Sequence, residues 1–295
     1  MKIYNFNQIK QAIVLQEDLP KLVESQKKTF IDFSKGEFTV PLPLQLQFDV
    51  GGDCHVKAGY KKDTKYFVVK LATGFYNNIA KNLPAGDGIF LILSQDTGLL
   101  DTILHDGGFL TTLRTAIAGA LAVDITPWKV KNIGIVGTGQ LAKNILTIMK
   151  FYKPNAKLHL WGRSKSRVNI LTKEFQDLYI CSGIEELTAN CDVIITATAS
   201  KAPIIKEQYI TINRATHIIA LGSDEVGKQE LEPQLLSRAN VIIVDSKKQS
   251  AYCGECYYAI SKGNILSQNL LELGKVLSDK LSTDNKLIIT DLTGI

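Results

Sequence analysis

From residue 131 onward, short apolar runs rich in Val and Ile recur along the chain, with stretches of helical spacing between them. The strand candidates are 133–136, 158–161, 193–197, 217–221, 241–244 and 287–290; helical stretches fall notably at 141–151, 166–175, 233–237 and 266–277. Strands apolar at nearly every position, rather than at every second one, are buried on both faces, as in a parallel sheet covered by helices. This half of the chain predicts a doubly wound α/β domain. The first part has a different rhythm. One or two helices are expected over 9–29, with Pro20 breaking or starting one. Strands over 42–48, 55–58, 66–71 and 88–94 follow, with turns at Asp96-Thr97-Gly98 and Asp106-Gly107-Gly108. An Ala-rich helix over 111–123 then leads onward. The expected layout is an α+β domain over 1–117 followed by an α/β domain over 118–295.

Where the first strand of the α/β half meets its helix, Lys131-Asn132-Ile133-Gly134-Ile135-Val136 runs into Gly137-Thr138-Gly139-Gln140-Leu141-Ala142. Strand, Gly-x-Gly-x-x-Ala turn and amphipathic helix make the dinucleotide-binding fingerprint of a Rossmann domain. Gly137 permits a tight turn, Gly139 lets backbone approach a pyrophosphate, and Ala142 lets the helix pack close. The helix start at Gln140 and Leu141 faces the phosphate charge. The bland alternative is a tight βα turn. A carboxylate for the ribose 2′-OH is expected at the end of the second strand. Instead that strand ends in Gly162-Arg163-Ser164-Lys165-Ser166-Arg167. Arg163, Ser164 and Arg167, with Lys165, suit a 2′-phosphate, since guanidinium groups bind phosphate bidentately. The expected cofactor is NADPH, with NADH the alternative; a solvated basic helix start is the plainer reading.

Composition narrows the field further. The 295 residues are enough for two domains, and 45% hydrophobic with 21% charged residues is ordinary for a globular protein. A net charge of +5 is mild and scattered, without an aromatic-interleaved basic stripe, so nucleic acid is not an expected partner. The apolar runs are too short to span a bilayer, and polar residues interrupt 1–20, so neither membrane nor signal peptide is expected. Five cysteines are an odd number without a dense framework, which predicts a reducing cytoplasm. Cys253 and Cys256 form a lone Cys-x-x-Cys with no second pair at zinc spacing, so no metal is expected there; the pair reads as small residues around a turn and helix start.

Three charged residues sit in apolar surroundings. Lys70 closes Phe67-Val68-Val69, Arg114 lies in a largely apolar helix, and Asp224 follows the fourth strand of the α/β half, at the edge where ligands bind. Each alone is as readily a structural ion pair. Together with a nucleotide they suit one chemistry: Arg holds a carboxylate while Lys or Asp moves a proton during hydride transfer.

The chain also resembles the ornithine cyclodeaminase/μ-crystallin family over nearly its whole length. The resemblance rests on His55-Val56-Lys57-Ala58-Gly59, Phe67 to Leu71, Asp96-Thr97-Gly98, Leu110-Thr111-Thr112-Leu113-Arg114-Thr115-Ala116, the glycine motif and Asp192 to Thr198. It continues through Leu221-Gly222-Ser223-Asp224-Glu225-Val226-Gly227-Lys228-Gln229-Glu230-Leu231, Val244-Asp245-Ser246 and Gly254-Glu255. It implies a homodimer formed through the N-terminal domain, with an active site between the domains. Lys70 is then the active-site lysine, Arg114 the carboxylate-gripping arginine and Asp224 the proton-handling acid. Thr196, Thr198 and Gly222 complete the cofactor set. The chain departs from the family in three places. Where many members carry a second carboxylate-binding Arg, Gln45 is the nearest residue and can only hydrogen-bond, so Lys57 is the candidate for the missing charge. His55 stands where the ornithine enzyme has a glutamate. Members usually continue past a Thr-Gly such as Thr293-Gly294 into a helix returning to the first domain, whereas this sequence stops at Ile295.

The family contains cyclodeaminases, alanine dehydrogenase-like enzymes and ketimine reductases. A basic second-strand end and the missing glutamate favour a reductase, of Δ1-pyrroline-2-carboxylate to L-proline or of Δ1-piperideine-2-carboxylate to L-pipecolate. A cyclodeaminase, an alanine dehydrogenase-like enzyme and a non-enzymatic nucleotide-dependent binder are the other readings.

Overall fold

The computed structural model describes residues 1–295 apart from Ile212, Asn213, Asn285 and the side chain of Tyr76. The chain divides into two units: the first holds Met1–Lys21 and Lys35–Arg114, the second Leu22–Ser34 and Thr115–Ile295.

The first unit is built on a seven-stranded sheet of β1 (Lys2–Tyr4), β2 (Phe38–Thr39), β3 (Leu44–Phe48), β4 (Gly52–Lys61), β5 (Tyr66–Gly74), β6 (Gly86–Ser94) and β7 (Leu100–His105). Its order is β1-β7-β6-β5-β4-β2, and β3 pairs with β4 beside β2. All neighbours are antiparallel except β1 and β7. Two helices precede the central strands, α1 (Phe6–Gln11) and α2 (Leu15–Ser34). Pro20 neither breaks nor starts a helix, contrary to the sequence expectation: α2 runs straight through it. The buried side chains of Leu19, Val23 and Phe30 supply the packing that outweighs one missing N–H. Helix α3 (Phe109–Asp124) starts after Asp106-Gly107-Gly108, where the buried Asp106 carboxylate accepts the Leu110 N–H at 2.7 Å. Gly107 and Gly108 both have positive φ there, so the turn needs residues without a Cβ.

The second unit is an eight-stranded, wholly parallel sheet. Its strands are β8 (Asn132–Val136), β9 (Lys157–Trp161), β10 (Tyr179–Ile180), β11 (Val193–Thr196), β12 (Thr216–Ala220), β13 (Val241–Val244), β14 (Leu271–Glu272) and β15 (Leu287–Asp291), in the order β10-β9-β8-β11-β12-β15-β13-β14. The chain winds outward in both directions from β8, which puts the reversal of strand order between β8 and β11. Register aligns Val136 with Trp161 and Thr196, and Thr196 with Ala220. The carboxyl ends of four strands therefore form one edge. All of β11 and β12 is buried, as the near-continuous apolar runs require. The six expected strands are all present in this doubly wound Rossmann sheet.

The helices of this unit are α4 (Gln140–Tyr152), α5 (Lys165–Glu174), α6 (Ile184–Asn190), α7 (Pro233–Arg238), α8 (Lys247–Ser250), α9 (Glu255–Ser261) and α10 (Leu273–Ser278). The single helix expected over 266–277 is instead a 3₁₀ turn, strand β14 and the short α10. Leu271 pairs with Ile243, and buried Leu270 and Leu273 flank it, so sheet pairing overrides the helical spacing. Among the described residues no helix is long and apolar enough to cross a membrane.

Candidate active site

At the end of β8, Gly137 has φ +128°, and a Cβ there would lie 2.5 Å from the Ala197 carbonyl oxygen. Only glycine fits this turn. Its N–H donates to the Trp161 carbonyl at 2.9 Å, tying the turn to the end of β9. Gly139 is the N-cap of α4, offers no side-chain cap, and a Cβ there would face open space. The first N–H groups of α4, at Gln140 and Leu141, thus lead the helix toward a cleared approach, the arrangement that takes a phosphate. The Gln140 side chain donates to Asn144 Oδ1 at 3.0 Å, so what Gln140 offers at the helix start is its backbone N–H. Gly162 packs so closely on Thr138 that a Cβ would overlap it. Beyond it Arg163, Lys165 and Arg167 are exposed, and Ser164 caps α5 by accepting the Arg167 N–H at 3.4 Å.

The ends of β11 and β12 are organised by a residue that sequence reasoning gave no role. Glu230 is fully buried and accepts from Thr196 Oγ1 at 2.6 Å, Thr198 N and Oγ1 at 2.7 Å each, and Gly222 N at 2.9 Å. The hydroxyls of Thr196 and Thr198 therefore point at Glu230, and a Cβ on Gly222 would overlap the Thr198 carbonyl. Burial pushes the Glu230 carboxyl up, and the four bonds oppose that rise. Glu255 in turn accepts the N–H groups of Glu230 and Leu231 at 2.7 and 3.0 Å, and Asp291 accepts that of Cys256 at 2.8 Å. Burial and the neighbouring Asp291 hold Glu255 well above the usual carboxylate range; burial lifts Asp291 to about 7. Cys253 and Cys256 are buried, and burial beside Asp291 raises the Cys256 thiol far above its ordinary value.

Asp224 lies two residues beyond Gly222. Its carboxylate meets the buried ammonium of Lys228 at 2.9 Å, and the same ammonium meets Glu225 at 3.1 Å. Lys228 and Glu225 are the other functional candidates the sequence left unassigned. The Gly-Lys-Gln-Glu string was visible, but a linear sequence does not show which carboxylates a lysine reaches.

In the first unit, sheet register gathers the substrate candidates. Lys57 lies directly opposite Lys70, and Gln45 directly opposite His55. Because side chains alternate, Gln45, His55, Lys57 and Lys70 share one face of the sheet. His55 is buried and sits 3.2 Å from Asp53. The Gln45 amide nitrogen is buried without a hydrogen-bond partner among the described residues. Lys70 Nζ reaches Thr111 Oγ1 at 3.4 Å, and Arg114 follows Thr111 by three residues on the same side of α3. Two lysines in register concentrate positive charge on this face, which complements a carboxylate.

The profile of the ornithine cyclodeaminase/mu-crystallin family matches residues 5–295. The iminosuccinate reductase of Paracoccus denitrificans is 32% identical over 251 residues, covering 81% of this chain and 75% of that protein. Among solved structures, an archaeal alanine dehydrogenase dimer with bound NAD matches with a TM-score of 0.89 at 24% identity, over 100% of this chain and 91% of that one. The Δ1-pyrroline-2-carboxylate reductase of Thermococcus litoralis, in complex with NADH and L-proline, matches with a TM-score of 0.87 at 21% identity, over 100% and 92%. Both share the fold described above. The chain belongs to the ornithine cyclodeaminase/mu-crystallin family.

Proposed function

We propose that the protein is a nicotinamide-dependent reductase of a small cyclic imino acid, converting Δ1-pyrroline-2-carboxylate to L-proline, with Δ1-piperideine-2-carboxylate to L-pipecolate as the six-membered counterpart. The observation that carries this reading is the basic cluster of the first unit: Lys57 and Lys70 in register, Lys70 bonded to Thr111, and Arg114 a helical turn further on. Arg114 grips the substrate carboxylate with paired N–H donors, Lys57 adds charge, and Gln45 adds an amide N–H. A bound dihydronicotinamide supplies the hydride for the imine carbon. Lys70 or Asp224 keeps the ring nitrogen protonated, which makes that carbon electrophilic. Arg114→Ala removes a charge-assisted bond of about 1.5–3 kcal/mol, so KM for the imino acid rises roughly 10- to 100-fold. Steady-state kinetics check this; an unchanged KM removes Arg114 from the substrate site.

NADPH is the preferred coenzyme in this reading, supported by exposed Arg163, Lys165 and Arg167 where a ribose-binding carboxylate is otherwise expected. The unit of function is a homodimer. Leu44, Leu46, Phe48, Tyr60 and Leu71 alternate onto the sheet face opposite Gln45 and Lys70 and are each more than a third exposed, which supports a second copy packing there. Five free, buried cysteines fit a reducing, cytoplasmic setting.

A further inference from the structure

The Rossmann sheet has a second edge, at the amino ends of its strands, and that edge holds a cleft of about 650 Å³. Its frame includes the first residue of each of three neighbouring strands: Asn132 of β8, Lys157 of β9 and Tyr179 of β10. Strand β8 is five residues long, so the cleft lies roughly 13 Å from the glycine turn at the strand's other end. His159 lines the cleft and is only 7% exposed. It stands opposite Gly134 and Tyr179 in register, on the same face as Asn132. Its Nε2 lies 3.1 Å from Asn132 Oδ1, which makes Nε2 the protonated nitrogen. Burial, with the Lys157 charge second, holds the imidazole below the usual histidine range, so the ring is neutral and Nδ1 is an acceptor. That Nδ1 is buried and has no hydrogen-bond partner among the described residues. An apolar side chain would fill this position without an unmet acceptor, so packing alone does not account for a histidine here. The Tyr179 ring lies against the imidazole, with centroids 4.9 Å apart. Its hydroxyl donates to Glu186 at 2.7 Å, which fixes the ring while the residue stays 50% exposed. Lys157 and Asp177 add one charge of each sign to the lining, and Leu178 adds an apolar group.

We propose that this cleft binds a free amino acid with a large apolar side chain. Its ammonium donates to His159 Nδ1 and pairs with Asp177, its carboxylate pairs with Lys157, and its side chain lies on Tyr179. An amine alone gives Lys157 no counter-charge, and a carboxylate alone brings no donor for Nδ1. The volume exceeds what a small polar amino acid fills, and the open Tyr179 face suits an aromatic or long aliphatic group. The assignment stands apart from the reductase reading, since every residue in it belongs to the second unit.

The probe is L-phenylalanine, titrated by ligand-observed NMR, with 3-phenylpropanoate and 2-phenylethylamine as the two half-ligands. Expected is saturable binding of L-phenylalanine, with either half-ligand at least about tenfold weaker. Lys157→Met and Asp177→Asn each weaken it about 3- to 10-fold, and His159→Phe by about tenfold or more. Arg114→Ala, which disables the proposed substrate site, leaves this binding unchanged. Residues 157 and 177 are both exposed, so their variants keep the fold and carry the test even if His159→Phe does not. No saturable binding up to about 10 mM overturns the proposal, as does wild-type affinity in both K157M and D177N. Loss of binding in Arg114→Ala also overturns it, by assigning the amino acid to the substrate site.

Discussion

A buried amide donor without a partner costs the free protein about 1–3 kcal/mol, and a ligand that supplies an acceptor recovers that cost. Gln45 is such a donor, on the sheet face shared with Lys57 and Lys70. Gln45→Leu should leave Tm unchanged or raised while KM for the imino acid rises. A melting curve and a KM from the same preparation decide: a lower Tm with unchanged KM makes Gln45 a structural residue. At this scale the sequence was informative where a residue's neighbours in the chain define its setting. Lys70 in an apolar strand and Arg114 in an apolar helix were both conspicuous as costly charges. Glu230, Glu225 and Lys228 were not: Glu230 meets Thr196 from 34 residues away, and which of the nearby carboxylates Lys228 reaches is decided by how the loop folds.

At the scale of elements, the carboxyl edge of the Rossmann sheet depends on one side chain as a joint. Glu230 Oε1 receives the Thr198 N–H and Oε2 the Gly222 N–H. In Glu230→Gln, whichever way the amide turns, its NH2 faces one of those backbone donors. That leaves a buried N–H unsatisfied, at a cost of about 1–3 kcal/mol. The variant should melt lower and bind coenzyme more weakly, checked by calorimetry and fluorescence titration. Wild-type values in both would remove Glu230 from the organisation of β11 and β12. Strands and the glycine turn were legible because periodicity and the special φ of Gly137 are local properties. Pro20 inside α2 and the replacement of a helix by β14 and α10 were not. Each is decided by tertiary packing, by buried Leu19 and Val23 in one case and by pairing with Ile243 in the other.

For the whole molecule, buried titratable groups set how stability depends on pH. Asp291, lifted by burial to about 7, keeps its proton in the folded state between about pH 4 and 7 while the unfolded chain has lost it. Its contribution is fully present below about pH 4 and is lost as pH rises through 7. His217 works in the opposite sense. Burial lowers it to about 3, and its ring is held between Thr126 at 2.8 Å and Thr290 at 2.7 Å. Its contribution is present above about pH 6.5 and is lost as pH falls toward 3. Asp291→Asn removes the first dependence, together with the part of the Glu255 and Cys256 shifts that Asp291 causes, and leaves that of His217. The Tm of that variant minus the wild-type Tm should therefore be more positive at pH 8 than at pH 5. A difference that does not change with pH would show that Asp291 ionises normally in the folded protein.

Net reduction of a cyclic imine moves a hydride from coenzyme to product, and a labelled coenzyme follows that transfer. NADPH carrying deuterium at the nicotinamide C4 position is incubated with Δ1-pyrroline-2-carboxylate, and the product is examined by mass spectrometry and NMR. One NADP⁺ is expected per proline formed, with a single deuterium at the α-carbon. Unlabelled substrate recovered with no coenzyme oxidised, alongside ammonia released from ornithine in the presence of NAD⁺, would contradict it and identify a cyclodeaminase.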